Sequence, residues 1–186
     1  MENIIREFGR RTQTHAFSSP TSVAMLLDFL GASRLNNKFQ LVDDMISQAF
    51  KDGILKTGQE LKHPDIIANV IQNYGLKESM VNGDMKNGIT KFDAIRAKLE
   101  EGKPVVVRGD FGIEIGGLDE NGKPKKVEGH ILTIVGFDEK GWIVHDPWGN
   151  ANKYHYGGSG MYAHYDYEKW SVGMDTAYTI SELVKE

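Results

Sequence analysis

The order of apolar and polar positions divides the chain into a helical first part and a stranded second part. Val23-Ala24-Met25-Leu26-Leu27-Asp28-Phe29-Leu30 is apolar nearly all round, which predicts a central, buried helix. Ser18-Ser19-Pro20-Thr21 ahead of it and Gly31 behind it are start and stop signals. The same reading predicts an amphipathic helix over residues 41–50 ending at Gly53, another over 64–74 stopped by Gly75, and a fourth over 91–101 stopped by Gly102. Beyond Lys103 the period changes. Pro104-Val105-Val106-Val107-Arg108 predicts a short buried strand, and Asn121-Gly122 predicts a hairpin between a strand at 113–115 and the stretch before Gly129. Residues 131–137 and 142–145 predict two more strands around a tight loop, Glu139-Lys140-Gly141, with Gly141 in the left-handed position. Residues 154–178 are rich in glycine and tyrosine and are expected to be irregular, with a short last strand near 177–180. Helices first and an antiparallel sheet afterwards make an α+β fold. With no internal repeat and no long Gly/Ser linker, residues 1–186 read as one domain, 1–102 mainly helical and 103–186 mainly β.

Composition narrows the chemistry more than the fold. The 186 residues carry 22 Lys+Arg against 26 Asp+Glu, a net charge of −4, with both signs spread along the chain. A surface that tracks phosphates would show a basic stretch; the nearest, Lys123 to Lys126, is broken by Pro124 and reads as a solvated loop, so no nucleic-acid partner is expected. The first seven residues lack the apolar run of a signal peptide, and no window approaches ~18 continuous apolar residues. The expectation is a soluble, cytoplasmic chain without membrane insertion. There is no cysteine, which excludes a disulfide framework, a thiolate metal site and, as written, a cysteine nucleophile.

Three places combine reactive side chains with a reason to be displayed. Ser18 stands at the start of the buried helix, where unpaired backbone N–H groups and the helix dipole favour negative charge; the same position suits a plain N-cap. His130 enters a buried strand, and an imidazole in water gains or loses its proton near neutrality, so the position suits a general base as well as a structural core-edge histidine. Asp146, in Asp146-Pro147-Trp148-Gly149, could orient a histidine or cap the turn before Pro147. His130 and Asp146 are 16 positions apart across a hairpin, so they share a face only if the loop holds an odd number of residues or a bulge intervenes; with an odd loop a regular ladder still leaves them several residues apart, so a bulge is needed to bring them together. His145 falls on the opposite face from Asp146, which argues against it as the base.

These places, taken in order, resemble the papain-like cysteine peptidases, specifically the bacteriocin-leader (double-glycine) peptidases and their stand-alone bacterial and phage relatives. The resemblance runs from about Gln13 to Tyr167. Its first block is Ser18-Ser19-Pro20-Thr21-Ser22, then Ala24-Met25 and Phe29-Leu30-Gly31, similar to a nucleophile helix that reads Cys-Gly-Pro-Thr-Ser, Ala-Met and Tyr/Phe-Leu-Gly. The second is Gly129-His130, Val135-Gly136-Phe137-Asp138 and Asp146-Pro147-Trp148-Gly149, with Lys103-Pro104-Val105-Val106-Val107 between the blocks. The resemblance implies a papain-like fold with the nucleophile helix packed on an antiparallel sheet. By it, Ser18 occupies the nucleophile position, His130 that of the general base and Asp146 that of the orienting acid. Gln13 would help to bind the oxyanion, and Trp148 would pack beside the pair and keep water away. No cofactor and no metal is implied.

The departure is at position 18, where the family places cysteine. A thiol gives its proton to the histidine and the helix N-terminus readily; a serine hydroxyl is far less acidic. Of three accounts, an engineered Cys-to-Ser exchange leads because the remaining site is present, ahead of a natural pseudoenzyme and a working serine hydrolase. The implied activity is hydrolysis of peptide amide bonds through an acyl-enzyme, with bacterial cell-wall (peptidoglycan) peptides or a phage-lysin role as the expected setting. The alternative is a binding module that recognises a peptide or protein through its cleft, with residues 154–167, including His155 and His164, as a recognition loop. A metal site from His145, His155 and His164 lacks tight ligand spacing.

Overall fold

The computed structural model describes residues 3–4, 18–31, 51, 70–110, 114–126, 129–152, 159–170 and 174–182. Helix α1, Ser18–Phe29, forms where the apolar run lies, and every residue from Thr21 to Leu27 is buried. Gly31 ends it in the left-handed conformation, φ 73°. The helix expected at 41–50 lies outside the described residues, as do residues 64–69 of the next. Its end is seen: Val70 and Ile71 are helical, a 3-10 turn covers Gln72–Tyr74, and Gly75 closes it at φ 72°. Helix α2, Lys91–Glu100, opens on a capping box. The Thr90 hydroxyl accepts from the Asp93 N–H at 3.1 Å, and the Asp93 carboxylate accepts from the Thr90 N–H at 3.0 Å. Ile95 and Leu99, one turn apart, are its buried stripe.

Among the described residues the main sheet has seven strands, all antiparallel. They are β1 (Asn3–Ile4), β2 (Leu76–Met80), β3 (Val105–Gly109), β6 (His130–Phe137), β7 (Gly141–His145), β8 (Ala163–Asp166) and β9 (Met174–Glu182). Their order is β2-β9-β3-β6-β7-β8, with β1 against the end of β6 at Gly136 and Phe137. A separate ribbon, β4 (Glu114–Leu118) and β5 (Pro124–Lys126), joins β3 to β6. All of β6 but Phe137 is buried, because α1 packs upon it and β3 and β7 flank it. The α+β class with a buried helix on an antiparallel sheet is therefore as expected.

Several details differ from the pattern's predictions. Strand β2 lies in the part expected to be helical; its polar Lys77, Glu78 and Ser79 carry no strand signal, and pairing with β9 alone holds it at the sheet edge. Residues 124–126 pair with 114–118 in the hairpin that Asn121-Gly122 predicts, so Lys123 to Lys126 is not a plain loop, though all of 124–126 are exposed. The tail expected to be irregular contains β8, the short helix α3 (Tyr167–Trp170) and a nine-residue β9. Ladders to both β2 and β3 explain that length, since each neighbour pairs backbone groups that the polar side chains of β9 do not advertise.

Candidate active site

The β6–β7 hairpin decides whether His130 and Asp146 can meet. Phe137 pairs with Trp142 and Gly136 with Ile143, but Ile134 pairs with Val144 and Thr133 with His145. Val135 is thus an extra residue on β6, the bulge that the spacing demands. It brings Leu132 opposite Asp146, so His130, two residues back, shares the face of Asp146. The Nε2 of His130 stands 2.8 Å from Oδ1 of Asp146, and both side chains are buried. A ring nitrogen facing a carboxylate carries the proton, so this contact sets the tautomer and exchange with a reacting group falls to Nδ1.

The turn of this hairpin also departs from expectation. Gly141 is the first residue of β7 and is not left-handed. Asp138 closes the turn instead: its N–H donates to the Gly141 carbonyl at 3.0 Å, and its carboxylate accepts from the N–H of Lys140 at 2.7 Å and of Gly141 at 2.9 Å. Glycine is needed at 141 because a Cβ there would lie 2.3 Å from the backbone oxygen of Tyr165 on β8.

Asp146 is completely buried, and a buried carboxylate demands donors. It has them from three directions. Besides His130, the N–H of Trp148 donates to Oδ1 at 2.9 Å, and the hydroxyl of Tyr165 donates to Oδ2 at 2.6 Å. Its own N–H donates to the carbonyl of Gly160 at 3.0 Å. The half-buried Trp148 ring lies beside His130, centroids 5.6 Å apart and tilted by 51°. Charge-assisted bonds thus hold an imidazole and a carboxylate in one orientation, the arrangement a general base requires.

Helix α1 runs alongside β6 in the same direction. The Ser22 hydroxyl donates to the carbonyl of Ile131 at 3.3 Å, while the Ser22 carbonyl, which points toward the helix C-terminus, accepts from the Thr133 hydroxyl at 3.4 Å. The start of α1 therefore lies toward the His130 end of the strand. Ser18 is the first residue of α1, one turn before Ser22; its side chain, like the whole of Gln13, lies outside the described residues.

His145 is fully buried on the neighbouring position to Asp146 and meets Tyr162 edge to face at 4.5 Å. Tyr162 adopts φ 50°, a left-handed conformation rare for so bulky a residue. His164 lies on the exposed side of β8, 2.9 Å from the Asp138 carboxylate, and His155 is outside the described residues. The part of 154–167 that is described braces Asp146 through Gly160 and Tyr165. Sequence reasoning singles out neither residue. The available signal was the alternation Ala163, Tyr165 inward against His164, Asp166 outward, a strand period obscured by its tyrosines and histidine.

Comparison with known families matches residues 5–171 to the Peptidase_C39 like family. Among solved structures, a chain from Bacillus anthracis described as a C39-like peptidase is similar, with TM-score 0.62, 14% identity and all of both chains covered. Xylellain, a cysteine protease from Xylella fastidiosa, is similar with TM-score 0.54 and 15% identity, over 98% of this chain and 86% of that one. No curated protein sequence matches.

Proposed function

Because the chain belongs to the Peptidase_C39 like family, whose scaffold is that of a peptidase-like hydrolase, we propose that its site is built to cleave peptide amide bonds with a cysteine nucleophile at position 18, where this chain carries serine. His130 takes the nucleophile's proton through Nδ1 and later gives it to the leaving amine. Water then releases the acyl group, again with His130 as base. Asp146 holds the ring throughout, and Gln13 assists the oxyanion. The observation that supports this most is the buried His130–Asp146 contact at the end of β6 toward which α1 begins. Cysteine is the competent nucleophile in this reading, and Ser18 leaves the site disabled, since a hydroxyl is far less acidic than a thiol and does not form the stable anion–imidazolium pair that such an arrangement uses. For substrate we propose cell-wall peptides, by resemblance to stand-alone relatives that act without a transporter.

The test is Ser18→Cys, assayed on peptidoglycan fragments and on leader-type and unrelated peptides, with and without a thiol-alkylating reagent. The expected result is turnover that alkylation abolishes, at least roughly 100-fold above the unsubstituted chain. Absence of turnover on every substrate, with position 18 labelled no faster than a free thiol, would refute the peptidase reading. Turnover of unrelated peptides alone would refute the cell-wall assignment.

A further inference from the structure

Resting on the reading above, we infer that Tyr165 is a positioning residue for the His130–Asp146 pair, acting through the second oxygen of the Asp146 carboxylate. The ring of Tyr165 is buried on β8 and stacks on Trp170, centroids 4.3 Å apart and planes 21° from parallel. One bond accepted from backbone and one donated to a carboxylate fix where its hydroxyl points. It accepts from the Ala151 N–H at 3.0 Å and gives its one proton to Asp146 Oδ2 at 2.6 Å, the nearer of the two acceptors within reach; the Gly149 carbonyl is at 3.4 Å. A distance of 2.6 Å is typical of a hydroxyl bonded to a charged oxygen.

A carboxylate can turn about its Cβ–Cγ bond, and Oδ1 must face His130 for the ring to keep its tautomer. Oδ1 already serves two donors, His130 and the Trp148 N–H. The hydroxyl on Oδ2 fixes the plane from the opposite side. The tyrosine comes from a different strand than the pair it serves, so the alignment of the site depends on β8 as well as on the hairpin that carries His130 and Asp146. Phenylalanine at 165 would keep the ring in its stack on Trp170 and remove only the hydroxyl.

The experiment is a double-mutant cycle in the Ser18→Cys chain, adding Tyr165→Phe, Asp146→Ala, and both. Two quantities are read: the rate at which iodoacetamide alkylates the thiol at position 18 at pH 6, where an ordinary thiol is protonated, and kcat and KM on whichever peptide is turned over. The expected result is that Tyr165→Phe lowers both alkylation and kcat roughly tenfold with KM unchanged. In the Asp146→Ala background it should lower neither further, because a residue acting through Asp146 has no effect once that carboxylate is gone. A merely structural tyrosine would give effects that multiply across the cycle, and that result overturns the inference. Alkylation requires no substrate, so the two failures are separable. An activated thiol whose reactivity is within twofold in Tyr165→Phe overturns the role of Tyr165 alone. A thiol at position 18 that reacts as an ordinary one overturns the nucleophile reading and this inference with it. Should Asp146→Ala fail to fold, Asp146→Leu, which keeps the shape and can bond neither His130 nor the hydroxyl, takes its place in the cycle, and an undiminished Tyr165→Phe effect there likewise overturns the inference.

Discussion

Replacing Gly160 by alanine isolates the close approach that holds Asp146 in place. Gly160 is buried, and its carbonyl accepts the Asp146 N–H at 3.0 Å. An added Cβ would sit 2.2 Å from the Asp146 carbonyl oxygen and 2.9 Å from both the carbonyl carbon and oxygen of Gly149. All three are backbone atoms, so no side-chain rotation relieves the clash. The Gly160 φ lies outside the left-handed range, so the cost is steric rather than conformational. Reaching ordinary van der Waals contact requires the two segments to part by about 1 Å. Overpacking of this kind costs ~1–3 kcal/mol, and weakening the Asp146 N–H bond adds ~1 kcal/mol. The sum, about 2–4 kcal/mol, corresponds to a fall in melting temperature of roughly 4–16 °C for a chain of this size. Thermal unfolding of the Ser18 protein with and without Gly160→Ala measures it directly. In the Ser18→Cys background the same change should slow alkylation at position 18, since Asp146 moves relative to His130. A melting temperature within 1 °C of the parent would refute the close approach between residues 146–149 and Gly160.

Two further outcomes follow from local geometry. Thr90→Ala removes the hydroxyl of the α2 capping box and should destabilise the chain by ~1 kcal/mol, visible in urea unfolding as a lower midpoint with an unchanged slope; Thr90→Ser should restore it. The bond from His164, and then those from the N–H groups of Lys140 and Gly141, hold the Asp138 carboxyl below its usual range. A depressed carboxylate contributes stability that is present above its unfolded value near 3.8 and is lost as pH falls through the lower folded value. Asp138→Asn should therefore show a shallower loss of melting temperature below pH 4 than the parent. The difference should stay under ~1 kcal/mol, because the pair is partly exposed and screened. An identical acid limb in both would refute the linkage.

What could be read along the chain concerns local rules. The apolar run at 23–30 needs a buried surround whatever it packs against, and α1 is buried as its composition requires. Gly31, Gly75 and Gly102 follow the ends of helical segments and are all left-handed, a conformation that costs other residues a clash of Cβ with backbone. The valine-rich β3 and the apolar β6 and β7 likewise appear where short apolar runs lie. At the candidate site, the motif residues His130, Asp146 and Trp148 were legible, and so was the need for a bulge, since a regular ladder leaves the pair several residues apart.

Tertiary structure decided the matters that depend on which backbone pairs with which. Parity asks for an odd loop or a bulge in the hairpin, and only the ladder between β6 and β7 shows a bulge and puts it at Val135. Polar strands such as β2 have no apolar period to reveal them, because a sheet edge asks only for hydrogen bonds from one neighbour. The tyrosine that reaches Asp146 is 19 residues away, on a strand whose register against β7 no local pattern encodes. Sequence alone therefore determined which side chains must be buried and where the chain must turn, since these follow from solvation and chirality residue by residue. The bonds that tie Asp146 to Tyr165 on β8 and to Gly160 came only with the tertiary structure, because a hydrogen bond between distant segments exists only once both have been packed.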